Sequence, residues 1–164
     1  MDEDLKRVAK TYAARYSLTL AKRLGSGIHG IVPVAQSKLQ PGKTALKLHR
    51  DFTAYDQEKR VYQRLRQRSL QQILGFHIPT LIRFDDELLA IEMTIVRPPF
   101  VLDFAGATLD TAMEFSEEVW ADWRATKQEQ FGQDWPTVTL ILNELARHGI
   151  HLLDVSPSNI RVRY

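Results

Sequence analysis

Three glycines between two strand-like runs limit the possible folds of this chain more than any other sequence feature does. The run Leu24-Gly25-Ser26-Gly27-Ile28-His29-Gly30-Ile31-Val32 has the spacing G-x-G-x-x-G-x-V. Glycine permits positive φ angles and lets the backbone approach another group, such as a phosphate, closely. Strands are predicted on both sides, over 18–24 and 31–35, whereas a dinucleotide-binding fold needs a helix after its glycines. The pattern therefore predicts a β-hairpin, which either holds a phosphate or is a glycine-rich turn without a ligand.

A lysine occupies the next predicted strand, Thr44–Leu48, which follows the Pro41-Gly42 turn signal. Lys47 comes 15 residues after Val32, which leaves room for one hairpin and brings the lysine beneath the glycine loop. Because a strand alternates, Lys47 shares a face with Ala45 and His49. A solvated surface position is the ordinary alternative for any lysine.

A glutamate on the following helix is the candidate partner of Lys47. The helix is predicted to start at the capping-box pattern Thr53-Ala-Tyr-Asp56. Glu58 lies three residues before Val61 and seven before Leu65, on the apolar stripe of this helix. A buried carboxylate is costly without a partner, and Lys47 is the obvious one. The alternative is a position at the rim of the helix.

The rest of the chain predicts one more helix at the start, two more strands and then a helical region. The first helix covers about 4–16, and the strands cover 80–84 and 88–96 with a turn at Asp85-Asp86. The prolines of Arg97-Pro-Pro-Phe100 end the sheet. Ser116 is predicted to cap a helix whose inner side carries Val119, Trp120 and Trp123.

A last predicted helix leads into a polar loop. It opens at Asp134-Trp-Pro136, has apolar residues at i, i+3, i+4 and i+7 from Val138, and ends at Gly149. The loop after it contains Asp154-Val-Ser-Pro-Ser-Asn159, followed by a strand-like Ile-Arg-Val. Aspartate and asparagine in loops are ordinarily turn residues.

These segments, taken in order, resemble the protein-kinase-like superfamily and its serine/threonine kinases. The glycine run resembles the kinase glycine loop, Thr44-Ala-Leu-Lys47 resembles V-A-I-K, and 154–159 resembles the catalytic loop D-x-x-P-x-N. The resemblance covers the chain from about Leu18 to the end. It implies an α+β fold, with a kinase-like N-lobe of about five antiparallel strands plus one helix and then a partial helical C-lobe. The expected segments are an N-terminal helix over 1–17, the N-lobe over 18–96 and the hinge with partial C-lobe over 97–164.

The resemblance also implies ATP and Mg²⁺ as cofactors. Lys47 and Asp154 take the catalytic positions, Asp154 as the group that orients the acceptor hydroxyl, and Asn159 takes the position of a Mg²⁺ ligand. The positions implied to contact nucleotide are Leu24, Gly25, Gly27, Gly30, Val32, Ala45, Lys47, Glu58 and Met93.

Two departures from the family pattern put activity in question. Leu152-Leu153 stand where the family has His-Arg, and His151 lies one place too early. Only ten residues follow Asp154, so no counterpart of the metal-binding Asp-Phe-Gly is present and the expected Mg²⁺ site is incomplete. Two hypotheses stay open. One is an ATP-dependent phosphotransferase acting on a protein or small-molecule hydroxyl, and the other is an inactive pseudokinase-like module that acts through a partner protein.

Composition and charge argue against several other kinds of site and function. The absence of cysteine excludes disulfides and thiolate metal sites, and the histidine spacing does not indicate zinc. No apolar run approaches the ~18 residues of a membrane span, and the acidic start is unlike a signal peptide, so a cytoplasmic location is expected. A net charge of +2 does not indicate nucleic acid. The arginine-rich stretch over 60–68 is interpreted as a solvated helix face, with a patch for nucleic acid or an acidic partner as the alternative. The three tryptophans are interpreted as helix-packing residues rather than a stacking platform.

Overall fold

The computed structural model describes residues 3–27 and 30–163, except that the side chains of 22–27 are not described. By its internal contacts the chain forms two compact units. The first consists of Met1–Gln63 and Pro79–Ile95, and the second of Arg64–Ile78 and Val96–Tyr164.

The first unit contains a five-stranded sheet in the order β1-β2-β3-β7-β6, with every neighbouring pair antiparallel. Its strands are β1 (Leu18–Gly27), β2 (Gly30–Ser37), β3 (Lys43–His49), β6 (Leu81–Asp85) and β7 (Ala90–Thr94). The expected α+β class with a five-stranded antiparallel sheet is confirmed. Both strands of the glycine hairpin reach further into the glycine run than the sequence predicted, and its tip, Ile28-His29, lies outside the described residues.

Helix α1 (Glu3–Arg15) covers one face of this sheet. Its buried residues Leu5, Ala9 and Tyr12 pack in one core cluster with Leu46 and Leu48 of β3. The aliphatic half of β3 therefore belongs to the α1 face, and the alternation of the strand turns Lys47 to the other face. That arrangement agrees with the alternation expected from the sequence.

Helix α2 (Phe52–Gln67) begins two residues earlier than expected, and a different residue caps it. The backbone N–H of Ala54 donates to Oδ1 of Asp51 at 2.9 Å. The capping box predicted at Thr53 and Asp56 is wrong, because the Asp56 carboxylate pairs with Arg60 one turn along the helix at 2.8 Å. An aspartate directly before the first helical residue satisfies the free N–H groups as well as threonine would.

The second unit contains two small sheets and two helices. The sheets are β11-β8-β5-β4 and β10-β9. Every strand in them has two residues: β4 (Gln72–Ile73), β5 (Phe76–His77), β8 (Phe100–Val101), β9 (Thr108–Leu109), β10 (Ile150–His151) and β11 (Ile160–Arg161). The helices are α3 (Glu117–Phe131) and α4 (Trp135–Arg147), joined by a 3-10 turn, Gly132–Asp134.

The start of α3 and the end of α4 follow the sequence prediction. Ser116 caps α3 by accepting from the N–H of Val119 at 3.3 Å, and Gly149 follows α4 with a φ of 75°. The inner face predicted for α3 is partly wrong, since Val119 is 47% exposed while Trp120 and Trp123 are half-buried. Of the apolar stripe on α4, Val138, Ile141 and Leu145 are buried.

The arginine-rich end of α2 is partly paired. Within the second unit, Arg64 grips the Asp110 carboxylate with both terminal nitrogens, at 2.8 and 2.7 Å. The same guanidinium donates to the carbonyl of His148 at 3.1 Å. The prediction that 60–68 form a solvated face is thus wrong for Arg64, whose hydrogen bonds stabilise the turn after α4. None of the helices in the described part of the chain is both long and apolar enough to cross a membrane.

Candidate functional site

The lysine and glutamate singled out in the sequence meet in the first unit. Nζ of Lys47 lies 2.8 Å from both Oε1 and Oε2 of Glu58. The side chain of Lys47 is 11% exposed and that of Glu58 is 1% exposed. The rim position for Glu58 and the solvated position for Lys47 are therefore both wrong, and the expected ion pair is present. Burial makes the pair mutually dependent, since either charge alone would be costly there.

A third side chain, for which no role was predicted from the sequence, joins this pair. His49 is buried, and its Nε2 lies 2.7 Å from Oε2 of Glu58. Its Nδ1 lies 3.2 Å from the carbonyl oxygen of Leu89. The spacing of two residues from Lys47 on a strand was the available signal, because it places both side chains on one face. We call Lys47, His49 and Glu58 the charged cluster.

Two further residues implied as nucleotide contacts share the face of the charged cluster. In the register of β3 and β7, Ala45 lies opposite Met93 and Lys47 opposite Ile91. Opposed residues of paired strands project to the same side of a sheet. Ala45 and Met93 are 7% and 5% exposed, so they form a buried apolar floor beside the lysine.

The glycine hairpin is described through its backbone pairing. Gly25 pairs with Val32, and Gly27 pairs with Gly30. Packing explains why residue 30 is a glycine: a Cβ there would lie 1.7 Å from the carbonyl oxygen of Leu48. This glycine is therefore required by the close approach of β2 to β3. The side chain of Leu24 lies outside the described residues.

The opposite face of the same sheet carries a second buried carboxylate. Glu92 is 2% exposed and accepts from the hydroxyls of Tyr12 at 3.0 Å and Thr44 at 2.7 Å. Nε of Arg83 lies 2.9 Å from the same carboxylate. Burial raises the pKa of Tyr12 well above its usual range, and the adjacent Glu92 charge adds to this shift. Tyr12 therefore remains a hydrogen-bond donor, and it ties α1 to β7.

The catalytic-loop candidates lie in the second unit, between β10 and β11. Asp154 is exposed, and within the described part of the chain no hydrogen bond or ion pair to its carboxylate is found. Asn159 is half-buried, and its backbone carbonyl accepts from the N–H of Leu102 at 2.8 Å. Antiparallel pairing of β10 with β9 and of β11 with β8 fixes both ends of the loop.

Helix α3 holds the loop from the side. Nε1 of Trp123 donates to the carbonyl of Leu153 at 3.2 Å, and Nζ of Lys127 donates to the carbonyl of Val155 at 2.6 Å. These two carbonyls flank Asp154 in the chain. The backbone on both sides of the exposed carboxylate is thus fixed by two side chains whose contact with the loop was not predicted from the sequence.

The tryptophans form a row of edge-to-face contacts rather than a closed core. Trp120 and Trp123 have ring centroids 5.7 Å apart, and Trp123 and Trp135 have theirs 5.9 Å apart. All three are half-buried and line a groove of about 330 Å³ that also contacts Leu152 and Leu153. The packing interpretation is therefore only partly right, because one side of each indole is open.

No family model matches the chain, and no curated protein matches it either. Among solved structures it is similar to the kinase domain of Mycobacterium tuberculosis PknI, with 22% identity and a TM-score of 0.41 over 87% of this chain and 54% of that one. A double mutant of the same domain gives 21% identity and a TM-score of 0.42 over the same shares. A second double mutant gives 20% identity and a TM-score of 0.33 over 75% and 48%. The chain thus spans about half the length of the kinase domains it matches.

Proposed function

We propose that this chain is a protein-kinase-like domain that binds ATP through its first unit. The observation that carries the proposal is the buried ion pair of Lys47 and Glu58, at 2.8 Å, on the strand and helix that the kinase pattern requires. A lysine held by a buried carboxylate has a fixed direction, and in kinases such a lysine contacts the α- and β-phosphates. The adjoining apolar floor of Ala45 and Met93 suits the base of a nucleotide.

The metal fits the described residues only in part. Asn159 offers an amide oxygen, a ligand type that Mg²⁺ accepts alongside phosphate oxygens. No group of three or more histidine, aspartate or glutamate side chains suited to a metal occurs among residues 3–27 and 30–163 as described. When bound, MgATP supplies the phosphoryl group and the counter-charge on its oxygens. Asn159 is therefore proposed as a ligand of one Mg²⁺ ion.

A phosphotransferase is the first form of this proposal. Asp154 would accept the proton of an acceptor hydroxyl, as the catalytic-loop aspartate does in kinases. Two observations favour it: the carboxylate is exposed, and Trp123 and Lys127 fix the backbone on either side of it. The acceptor is a protein or a small-molecule hydroxyl.

A nucleotide-binding module without transfer is the second form. Leu152 and Leu153 replace the histidine and arginine that precede the aspartate in the family. Leu152 is buried and both residues line the tryptophan groove, so this segment is packed as an apolar strip rather than as a charged one. Such a module would act through a partner protein.

Calorimetric titration of MgATP tests the binding that both forms share. We expect the wild type to bind and Lys47→Ala to lose binding, while Lys43→Ala on the same strand serves as the matched control because Lys43 is exposed. Equal binding by the wild type and Lys47→Ala, or binding by neither, contradicts the proposal.

Transfer from γ-labelled ATP to generic protein and small-molecule hydroxyls separates the two forms. Turnover that Asp154→Asn abolishes establishes the phosphotransferase. Binding in the titration without turnover in the transfer assay establishes the second form.

A further inference from the structure

The tryptophan groove of the second unit is an open aromatic surface to which the proposed function assigns no ligand. It is lined by Trp120 and Trp123 of α3, by Trp135 at the start of α4, and by Leu152 and Leu153. Every residue that lines it belongs to the second unit, so the groove is complete within that unit. Its volume of about 330 Å³ lies in the range of sites that hold small organic molecules.

The tryptophans give the groove hydrogen-bond donors as well as apolar surface. The indole N–H of Trp123 is engaged with the carbonyl of Leu153 at 3.2 Å. No hydrogen bond from the indole of Trp120 or of Trp135 is found in the described part of the chain. An indole nitrogen only donates, so these two side chains suit a ligand with acceptor atoms. The rest of the polar lining consists of Arg124, Thr139, Asn143 and His151.

The fixed charge of the groove comes from Arg124. Among the described residues, no aspartate or glutamate lines the groove, and neither does a lysine or a second arginine. Nη2 of Arg124 lies 3.8 Å from Oε2 of Glu117, a distance beyond a hydrogen bond, and the two side chains are 54% and 94% exposed. An exposed pair of this kind is weak. The guanidinium therefore keeps its donors for a ligand, and a carboxylate is a group that takes two of them in parallel.

We propose that the tryptophan groove binds a small aromatic carboxylate. The ring of the ligand packs against the half-buried indoles, and its carboxylate accepts hydrogen bonds from Arg124. An aromatic cation would meet a like charge there, and an inorganic anion would leave the apolar lining uncovered. The site stands on the residues of the second unit alone, so it does not depend on nucleotide binding by the first.

Proton–nitrogen NMR of the full chain tests the site with naphthoate, a planar aromatic carboxylate, and with naphthamide, its uncharged counterpart. The chain has three tryptophans and all of them line the groove, so every indole N–H signal reports on it. The signals are assigned by their loss in Trp120→Phe, Trp123→Phe and Trp135→Phe. We expect naphthoate to shift the indole signals and to leave the backbone amides of the five-stranded sheet in place. We expect it to bind about tenfold more tightly than naphthamide, the factor for hydrogen bonds to a charged group.

Two variants separate the charge of the groove from its apolar surface. Arg124→Gln is expected to lower the affinity for naphthoate about tenfold and to leave that for naphthamide unchanged. Arg147→Gln is the matched control, because Arg147 is an exposed arginine on α4 that does not line the groove. Ala146→Phe places a ring in the groove and is expected to remove the binding of both compounds.

Three results overturn the proposal. Equal affinity for naphthoate and naphthamide in the wild type, or naphthoate binding that Arg124→Gln leaves unchanged, excludes an anion as the ligand. Indole signals that neither compound moves exclude the site itself, whatever the outcome of the nucleotide titration. Self-association in sedimentation that Ala146→Phe abolishes assigns the groove to a second copy of the chain instead.

Discussion

The charged cluster of the first unit and the loop around Asp154 of the second unit differ in which part is buried and fixed: the side chains in the cluster, and the backbone in the loop. In the cluster the functional side chains themselves are buried and hold one another, with Glu58 only 1% exposed. In the loop the carboxylate is exposed, and the neighbouring backbone is held by Trp123 and Lys127. Stability and function should therefore be coupled in the cluster and separable in the loop.

The largest effect on stability is expected at the centre of the cluster. Glu58→Gln leaves Lys47 and His49 without their carboxylate, and removal of one partner of a buried pair typically costs about 3–5 kcal/mol. The free energy of unfolding from denaturant titration measures this cost. Glu129→Gln, at an exposed position, is the control and should change it by less than about 0.5 kcal/mol. A near-zero change in the unfolding free energy of Glu58→Gln would show that stability and function are not coupled in the cluster.

The second effect concerns the backbone that supports the cluster. Gly30→Ala puts a Cβ 1.7 Å from the Leu48 carbonyl oxygen, so β2 must move away from β3. Gly42→Ala is a matched control, because Gly42 also has a positive φ, 131°, but open space around it. We expect Gly30→Ala to lower the unfolding free energy by about 1–3 kcal/mol more than the control does. Equal losses would mean that the backbone conformation, and not the close approach, demands the glycine.

A smaller effect is expected from the support of the loop. Lys127→Met removes the hydrogen bond to the Val155 carbonyl but keeps the aliphatic stem, and a partly buried hydrogen bond from a charged group contributes about 1.5 kcal/mol. Amide hydrogen exchange should become faster over 153–156 while the rest of the second unit is unchanged. Exchange that rises throughout the unit, or nowhere, would show that Lys127 does not fix this loop specifically.

The smallest effect on stability is expected at the residue with the clearest proposed chemistry. Asp154→Asn should change the unfolding free energy by less than about 0.5 kcal/mol, because the side chain is exposed. A loss comparable with that of Glu58→Gln would show that Asp154 has a structural partner and would end the contrast between the two regions.

The long elements were predictable because their signals are local. The alternation of apolar and polar residues predicted β1, β2, β3, β6 and β7 to within a few residues. The apolar stripe of α2, together with the cost of burying a carboxylate alone, predicted the pairing of Lys47 with Glu58. The two-residue strands of the second unit were not predictable, since β8 exists only through pairing with segments as distant as β5 and β11. The same holds for the contacts of Trp123 and Lys127, which reach 30 and 28 residues along the chain.

His49 marks the boundary between these cases. Its face was predictable from the alternation of β3, but its role was not, because a histidine on a strand has no preferred partner until the helix behind it is placed. The contact of 2.7 Å with Glu58 depends on α2 starting at Phe52, and the cap that sets this start is Asp51 rather than the predicted Thr53. The prediction placed the cap of α2 two residues too late, and it also missed the third member of the cluster.

The packing of α1 decides where a minimal, independently folding version of the sheet has to begin. A shortened protein starting at Leu18 would look reasonable by kinase analogy, since the glycine hairpin and every cluster residue would be kept. It would nevertheless strip Leu46 and Leu48 of their apolar cover and deprive Glu92 of the Tyr12 hydroxyl. The same cut would remove Arg15 and Tyr16, which hold Asp85 at 2.7 and 2.9 Å at the end of β6. Residues 3–16 thus pack as an integral part of the sheet, and domain boundaries drawn from the glycine loop alone would cut through its core.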